Sequence, residues 1–281
     1  MLVDVGDTRL HVTERGSGAL ALVVLHGGPG LDHTMFGSYL DPLGDVCRLL
    51  LVDERATGRS DPSAPETWTL ERQAADIEAI AAALELDRYA VLGHSYGAFI
   101  ALEHAVDFPG RPAGTIVSSG LPDARYLERV EHELAVFEPV ELREQVTASW
   151  AREAEARTQE DVASLIADQF PFHFADPRDP RIDELVAAMD DAVYGPDVLR
   201  AAATQDYGHI AVEDRLAGVT HPVLVLAGRH DRTCSVAGAE AIVAGLPDAE
   251  LVVFEHSGHM TYVEENEAYL AAVRDFLSRL P

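Results

Sequence analysis

Tyr89-Ala90-Val91-Leu92-Gly93-His94-Ser95-Tyr96-Gly97-Ala98 is the stretch that decides the fold. Residues 89–92 form a short apolar run that halts at a glycine, the signature of a strand covered on both faces. From 95 to 106 the pattern turns helical, so a strand, a tight turn and a helix follow one another directly. A Gly-x-Ser-x-Gly string says little alone and much at such a junction. There the two glycines let neighbouring backbone pass where a side chain would collide, and the turn lifts the Ser95 hydroxyl to the carboxyl end of the sheet. Backbone N–H groups at the start of the following helix favour developing negative charge at that point.

On either side of this junction the same rhythm recurs. Apolar runs at 20–25, 47–52, 115–117, 223–227 and 250–254 each stop at a polar residue or a glycine, and 70–86 carries Ile77, Ile80 and Leu84 at helical spacing. Strands alternating with helices predict a parallel sheet covered on both sides, an α/β architecture. Between 121 and 214 the rhythm breaks. Helical patterns at 125–137, 142–157, 160–169, 183–193 and 197–204 surround a proline-rich joint at 176–180, with no convincing strand. Residues 122–214 are therefore expected to form an all-helical cap inserted into a core built from 1–121 and 215–281. That insert holds 22 acids against 8 arginines, about half of the chain's excess negative charge, most of it read as solvated helix faces.

Composition narrows the chemistry. The 281 residues carry 48 acids and 21 bases, a net charge of −27, which argues against nucleic acid or an anionic membrane as partner, since both require clustered cations. All 21 bases are arginine. Without lysine the chain cannot build a GxxxxGK phosphate loop, a Schiff base or the lysine of a protein kinase. Cys47 and Cys234 lie too far apart for a paired zinc spacing and are too few for a disulfide framework, so free thiols are expected. The N-terminal residues lack the basic and apolar pattern of a secretory signal, and no apolar run approaches the ~18 residues of a membrane span. A soluble, cytoplasmic protein is the expectation.

A serine hydroxyl is a weak nucleophile until a base takes its proton, so Ser95 needs a histidine oriented by a carboxylate. Both are expected at later strand ends. The run 223–227 leads into Gly228-Arg229-His230-Asp231, and 250–254 leads into Glu255-His256-Ser257-Gly258-His259. Ser95, Asp231 and His259 thus appear in the order nucleophile, acid, base, with His230 and His256 as neighbouring rivals. An oxyanion needs two N–H donors, one after the nucleophile and one from an early loop. Tyr96 supplies the first. The second is expected at Gly28, within His26-Gly27-Gly28-Pro29-Gly30.

Taken together, these motifs resemble the proline iminopeptidase (prolyl aminopeptidase) branch of the α/β-hydrolase superfamily over nearly the whole chain. The loop at 26–30 matches that branch's marker, Asp53-Glu-Arg-Ala-Thr-Gly-Arg-Ser60 resembles its DxRGxGxS loop, and 93–98 and 228–231 fall where its nucleophile and acid loops fall. Departures stand at Ala56, Tyr96 and Arg232. The resemblance implies the α/β-hydrolase fold, with a mostly parallel sheet, flanking helices and a helical cap. It also implies a serine hydrolase that works through an acyl-enzyme, releases N-terminal proline or another small residue from peptides, and uses no metal or organic cofactor. Its partner is then a short peptide or small molecule. Members of the branch hold the substrate amine with cap glutamates; the candidate substrate-binding residues here are Gly27, Glu131, Asp206 and Glu213, with Glu133 and Glu138 behind them. A carboxylesterase or lactonase with the same triad is the alternative, and a non-catalytic receptor of this fold is the third reading.

Overall fold

The chain opens with an antiparallel pair, β1 (Leu2–Asp4) and β2 (Arg9–Arg15), which the search for continuous apolar runs passes over. Only one face of β2 is buried, through Leu10 and Val12, so its signal is alternation rather than a run. The expected runs follow as β3 (Leu20–Leu25), β4 (Cys47–Val52), β5 (Tyr89–His94), β6 (Thr115–Ser118), β7 (Val223–Gly228) and β8 (Ala249–Phe254). They form one sheet in the order β1-β2-β4-β3-β5-β6-β7-β8, parallel from β4 onward. This computed structural model describes residues 1–281 apart from the side chain of Asp206.

The helices are α1 (Leu70–Ala83), α2 (Tyr96–Asp107), α3 (Arg129–Val136), α4 (Val140–Arg152), α5 (Gln159–His173), α6 (Arg181–Ala188), α7 (Pro196–Ala203), α8 (Val236–Gly245), α9 (Thr261–Glu264) and α10 (Asn266–Arg279). Strand alternation divides the interior in two. On β3, Ala21, Val23 and Leu25 pack with α1, α2 and α8, whereas Leu20, Leu22 and Val24 pack with α10 and part of the cap. Both faces are covered, so every residue of β3 is buried. Each fully buried Leu or Val contributes about 1.5–3 kcal/mol. Among the described residues no helix is long and apolar enough to cross a membrane.

Helices α3 to α7 lie between β6 and β7 in the chain, and the two connecting segments pair: Ala124 N–H donates to Ile210 O at 2.8 Å and Val212 N–H to Pro122 O at 2.9 Å. Helical boundaries differ from expectation where backbone bonding changes. The 142–157 pattern stops at Arg152 and tightens into a turn at Glu153–Glu155, while 160–169 runs on through Pro171 to His173. A small core of Val130, Phe137, Val146 and Phe172 holds α3, α4 and the end of α5 together.

Sheet order also places the site. β3 pairs with β4 on one side and β5 on the other, so the loops leaving β3 and β5 diverge and open a crevice at the carboxyl edge. In that register Leu25 faces Gly93, which sets the 26–30 loop beside Ser95.

Candidate active site

Ser95 turns the chain from β5 into α2 with φ +57° and ψ −117°, a conformation costly for any residue with a Cβ. Its flanking glycines are required by space. A Cβ on Gly93 would stand 2.0 Å from Gly97 O, and one on Gly97 would stand 2.5 Å from Leu25 O and His26 O. The close approach lets β3 and β5 carry their loops to one point.

Asp231 and His259 follow adjacent strands whose loops press backbone to backbone: a Cβ on Gly228 would meet Gly258 O at 1.9 Å. His259 Nδ1 lies 2.8 Å from Asp231 Oδ2, and both residues are buried. Asp231 Oδ1 accepts from Thr233 N–H (2.9 Å), Cys234 N–H (2.8 Å) and the Thr233 hydroxyl (2.9 Å). Burial pushes the Asp231 carboxyl up, but the His259 imidazole and these N–H donors outweigh it and hold the group below its usual range. An ionised acceptor on Nδ1 fixes His259 in the tautomer with a free Nε2. Ser95 and His259 line one cavity, though among the described residues the hydrogen bonds of the His259 ring reach Asp231 and Thr233 and none reaches the Ser95 hydroxyl. Such contacts often tighten only when substrate is present.

The rival histidines separate cleanly. His230 and His256 are exposed. His94 and His173 each place a ring centroid 5.0 Å from that of His259, but among the described residues neither has a carboxylate on its ring. Burial, then the nearby His259, drives His94 well below its ordinary value and His173 down to about 3, so both stay neutral.

Gly27 N–H donates to Met35 Sδ at 2.9 Å, and His26 Nδ1 lies 2.7 Å from Gly27 O. The N–H of Gly28 belongs to the same trans peptide as Gly27 O and points the opposite way. Gly28 itself sits at φ +131°, open only to glycine. Tyr96 is the first residue of α2, where N–H groups have no acceptor within the helix. Gly27, Gly28, Ser95 and Tyr96 all line the cavity.

That cavity measures about 710 Å³. Its walls are mainly apolar, and one buried acid stands in them: Glu153, 5% exposed, which accepts from Gln169 Nε2 at 2.6 Å and from the Tyr207 hydroxyl at 2.5 Å. Burial raises its pKa against the pull of those two donors, and among the described residues no arginine reaches it. Sequence reading missed Glu153 by counting it among solvated cap acids. The available signal is its spacing, since Val146, Ser149 and Glu153 fall on one helical stripe and all three are buried. Of the expected amine ligands, Glu131 lines the cavity but is exposed at its mouth beside Glu128. Glu213 pairs with Arg125 at 2.5 Å and is not part of the wall, and the Asp206 side chain lies outside the described residues. Glu133 and Glu138 pair with Arg129 and Arg143.

Arg232, a departure noted in the sequence, ties the cap to the acid loop. Its guanidinium donates to Phe172 O (3.0 Å) and Phe174 O (2.7 Å), while His259 N–H donates to His173 O at 2.6 Å. Among the described residues His11, His33 and Asp53 form the one grouping with metal-ligand spacing. Its acceptors are already engaged. Asp53 accepts from His33 Nδ1 (2.5 Å), His33 N–H (3.0 Å), His11 Nδ1 (3.1 Å) and Arg59 N–H (2.8 Å), a closed network that anchors the 53–60 loop.

Comparison with known proteins agrees with this fold. The family model described as alpha/beta hydrolase fold matches residues 21–266. A proline iminopeptidase of Lactiplantibacillus plantarum is 29% identical, covering 95% of this chain and 95% of its own length. A 2-hydroxy-6-oxononadienedioate/2-hydroxy-6-oxononatrienedioate hydrolase of Cupriavidus pinatubonensis is also 29% identical, over 97% of this chain and 92% of its own. The crystal structure of proline iminopeptidase from Mycobacterium smegmatis superposes with a TM-score of 0.75 at 27% identity, covering 99% of this chain and 97% of that one. With matching motifs, sheet order and relatives across its length, the chain belongs to the alpha/beta hydrolase fold family, on its proline iminopeptidase-like branch.

Proposed function

We propose that the protein is a serine aminopeptidase that releases an N-terminal residue, proline among them, from short peptides. His259 Nε2 takes the proton of Ser95, whose Oγ attacks the scissile carbonyl. The N–H groups of Gly28 and Tyr96 hold the oxyanion, and Asp231 stabilises the imidazolium that then protonates the leaving amine. Water repeats the cycle on the acyl-enzyme. The division into a core of 1–121 and 215–281 and a cap of 122–214 belongs to the same reading: the core carries the triad and the cap carries substrate recognition.

Glu153 is the observation that carries the peptidase reading. It is a carboxylate buried in the wall of the cavity whose donors among the described residues, Gln169 and Tyr207, are both neutral, and a buried charge of that kind calls for a cation from the ligand. A free α-ammonium supplies one. The test compares prolyl p-nitroanilide with its N-acetylated form, alongside labelling of Ser95 by a fluorophosphonate. Labelling at Ser95 with turnover only of the free amine is expected. Equal turnover of both anilides would instead support an esterase or lactonase acting on uncharged acyl groups, and absence of labelling would remove the serine mechanism.

A further inference from the structure

The cavity is much larger than an amine, a carbonyl and a pyrrolidine ring require; about 710 Å³ lies within the range of pockets that enclose drug-sized ligands. Where the extra space lies can be read along α5. Val162, Leu165, Ile166, Gln169, Phe170 and His173 all line the cavity, a spacing that puts them on one face of the helix. This stripe has a catalytic end and a far end. The His173 ring lies 5.0 Å from that of His259, tilted to it, and Gln169 holds Glu153 at 2.6 Å. At 1.5 Å of rise per residue, Gln169 lies about 6 Å along the axis from His173, Leu165 about 12 Å and Val162 about 16 Å. The acidic anchor is therefore one turn from the triad, and the apolar wall continues about two turns beyond it. Leu31 from the loop after β3 and Leu199 from α7 also line the cavity and share one apolar cluster with Val162, Leu165 and Ile166, so among the described residues this stretch of wall is apolar.

We infer that this apolar gallery receives a long unbranched or bulky apolar side chain on the substrate's N-terminal residue, whose ammonium is held at Glu153 and whose carbonyl lies at Ser95. The inference rests on the aminopeptidase reading and narrows its substrate class. Proline is then a short occupant: its ring closes back on its own nitrogen and stays near the anchor. A norleucyl or 2-aminooctanoyl side chain runs along α5 toward Val162.

Each methylene buried in such a gallery improves kcat/KM by about fourfold at most. The experiment measures kcat/KM for p-nitroanilides of alanine, proline, norleucine and 2-aminooctanoic acid, together with p-nitrophenyl acetate, hexanoate and octanoate. Norleucine exceeds alanine by three methylenes, so a gain approaching about sixtyfold is expected, rising again for 2-aminooctanoate. In Leu165→Trp, whose indole fills the gallery, the norleucyl-to-alanyl ratio is expected to fall toward one. A wild-type ratio of one or less overturns the inference, whatever the folding of the variant, and so does a high ratio that a folded Leu165→Trp leaves intact. Failure of the underlying reading has a different mark. If N-acetylnorleucyl anilide is cleaved as fast as the free amine while both anilides and esters still gain with chain length, the gallery stands and amine recognition falls. A flat series with full dependence on the free amine overturns the gallery alone.

Discussion

Replacing Glu153 by glutamine keeps the shape of the anchor and removes its charge. In the present structure Glu153 accepts two hydrogen bonds, from Gln169 and Tyr207, and glutamine retains one acceptor oxygen. The folded state therefore loses roughly one hydrogen bond, about 1 kcal/mol, partly offset because an ionised group no longer has to be buried. Substrate loses more. An ammonium placed in this cavity without its carboxylate is a buried charge missing one partner, a situation that costs about 3–5 kcal/mol in proteins. At the lower figure, kcat/KM for prolyl p-nitroanilide falls about 150-fold, since about 1.4 kcal/mol is a factor of ten. p-Nitrophenyl acetate carries no amine and serves as the internal reference, so the quantity to measure is the ratio of the two rates. Its pH dependence adds a second reading, because titration of the triad cancels in the ratio. Burial raises the Glu153 pKa, so the wild-type ratio is expected to decline on the acid side at a pH above the ordinary glutamate range, and E153Q is expected to lose that limb. A fall of the same size on both substrates would mean that Glu153 supports the fold or the triad and does not bind an amine. No fall on either would remove it from the site.

Other consequences are as direct. Asp231→Asn should leave the loop folded while lowering kcat about 10⁴-fold, because His259 would then be held in the wrong tautomer; a loss under tenfold in steady-state assays would refute Asp231 as the orienting acid. Gly93→Ala places a methyl 2.0 Å from Gly97 O and is expected to cost about 3 kcal/mol in denaturant melts. Gly218→Ala, with no atom within 4 Å, is expected to stay within about 0.5 kcal/mol, and equal effects at the two positions would contradict the packing of the serine turn. Glu264 accepts from Ala175 N–H at 2.7 Å and Gly258 N–H at 2.8 Å, and burial raises its pKa from 4.5 to about 7. A carboxyl raised on folding contributes stability that is complete below about pH 4.5 and lost as pH rises through 7, here on the order of 3 kcal/mol. Melts of wild type and Glu264→Gln between pH 4.5 and 7.5 should diverge in slope accordingly, and parallel curves would exclude the effect.

The parts of this site that were legible in the linear chain share one property: local chemistry dictates them. A serine between two glycines at the end of an apolar run has few conformations open to it, and the observed φ of +57° and the 2.0 Å clearance at Gly93 are the physical form of that constraint. Asp231 was legible because it lies just beyond β7, a strand buried along its whole length, and His259 because the apolar run of β8 marks a strand end even though that edge strand is only half-buried. β2 was harder to see because a half-buried strand shows alternation over few residues, and Leu10 and Val12 alone carry it.

Sequence by itself determined the strained turn at Ser95, the strand ends that bear Asp231 and His259, the glycine loop at 26–30 and the absence of any lysine chemistry. Only the tertiary structure separated the neighbouring imidazoles, since His94, His173, His230 and His256 differ from His259 in partners and burial rather than in residue type. It also decided which of the cap's many acids is buried in the cavity wall. Glu131 is exposed at the cavity's edge and Glu213 is paired with Arg125, whereas Glu153 is buried in the cavity wall, where α5 and Tyr207 supply its donors. A carboxylate has the same formula in water and in an apolar wall. Its role is set by what surrounds it, and those surroundings come from α5 and the Tyr207 turn, segments that meet only when the helices of the cap pack on one another.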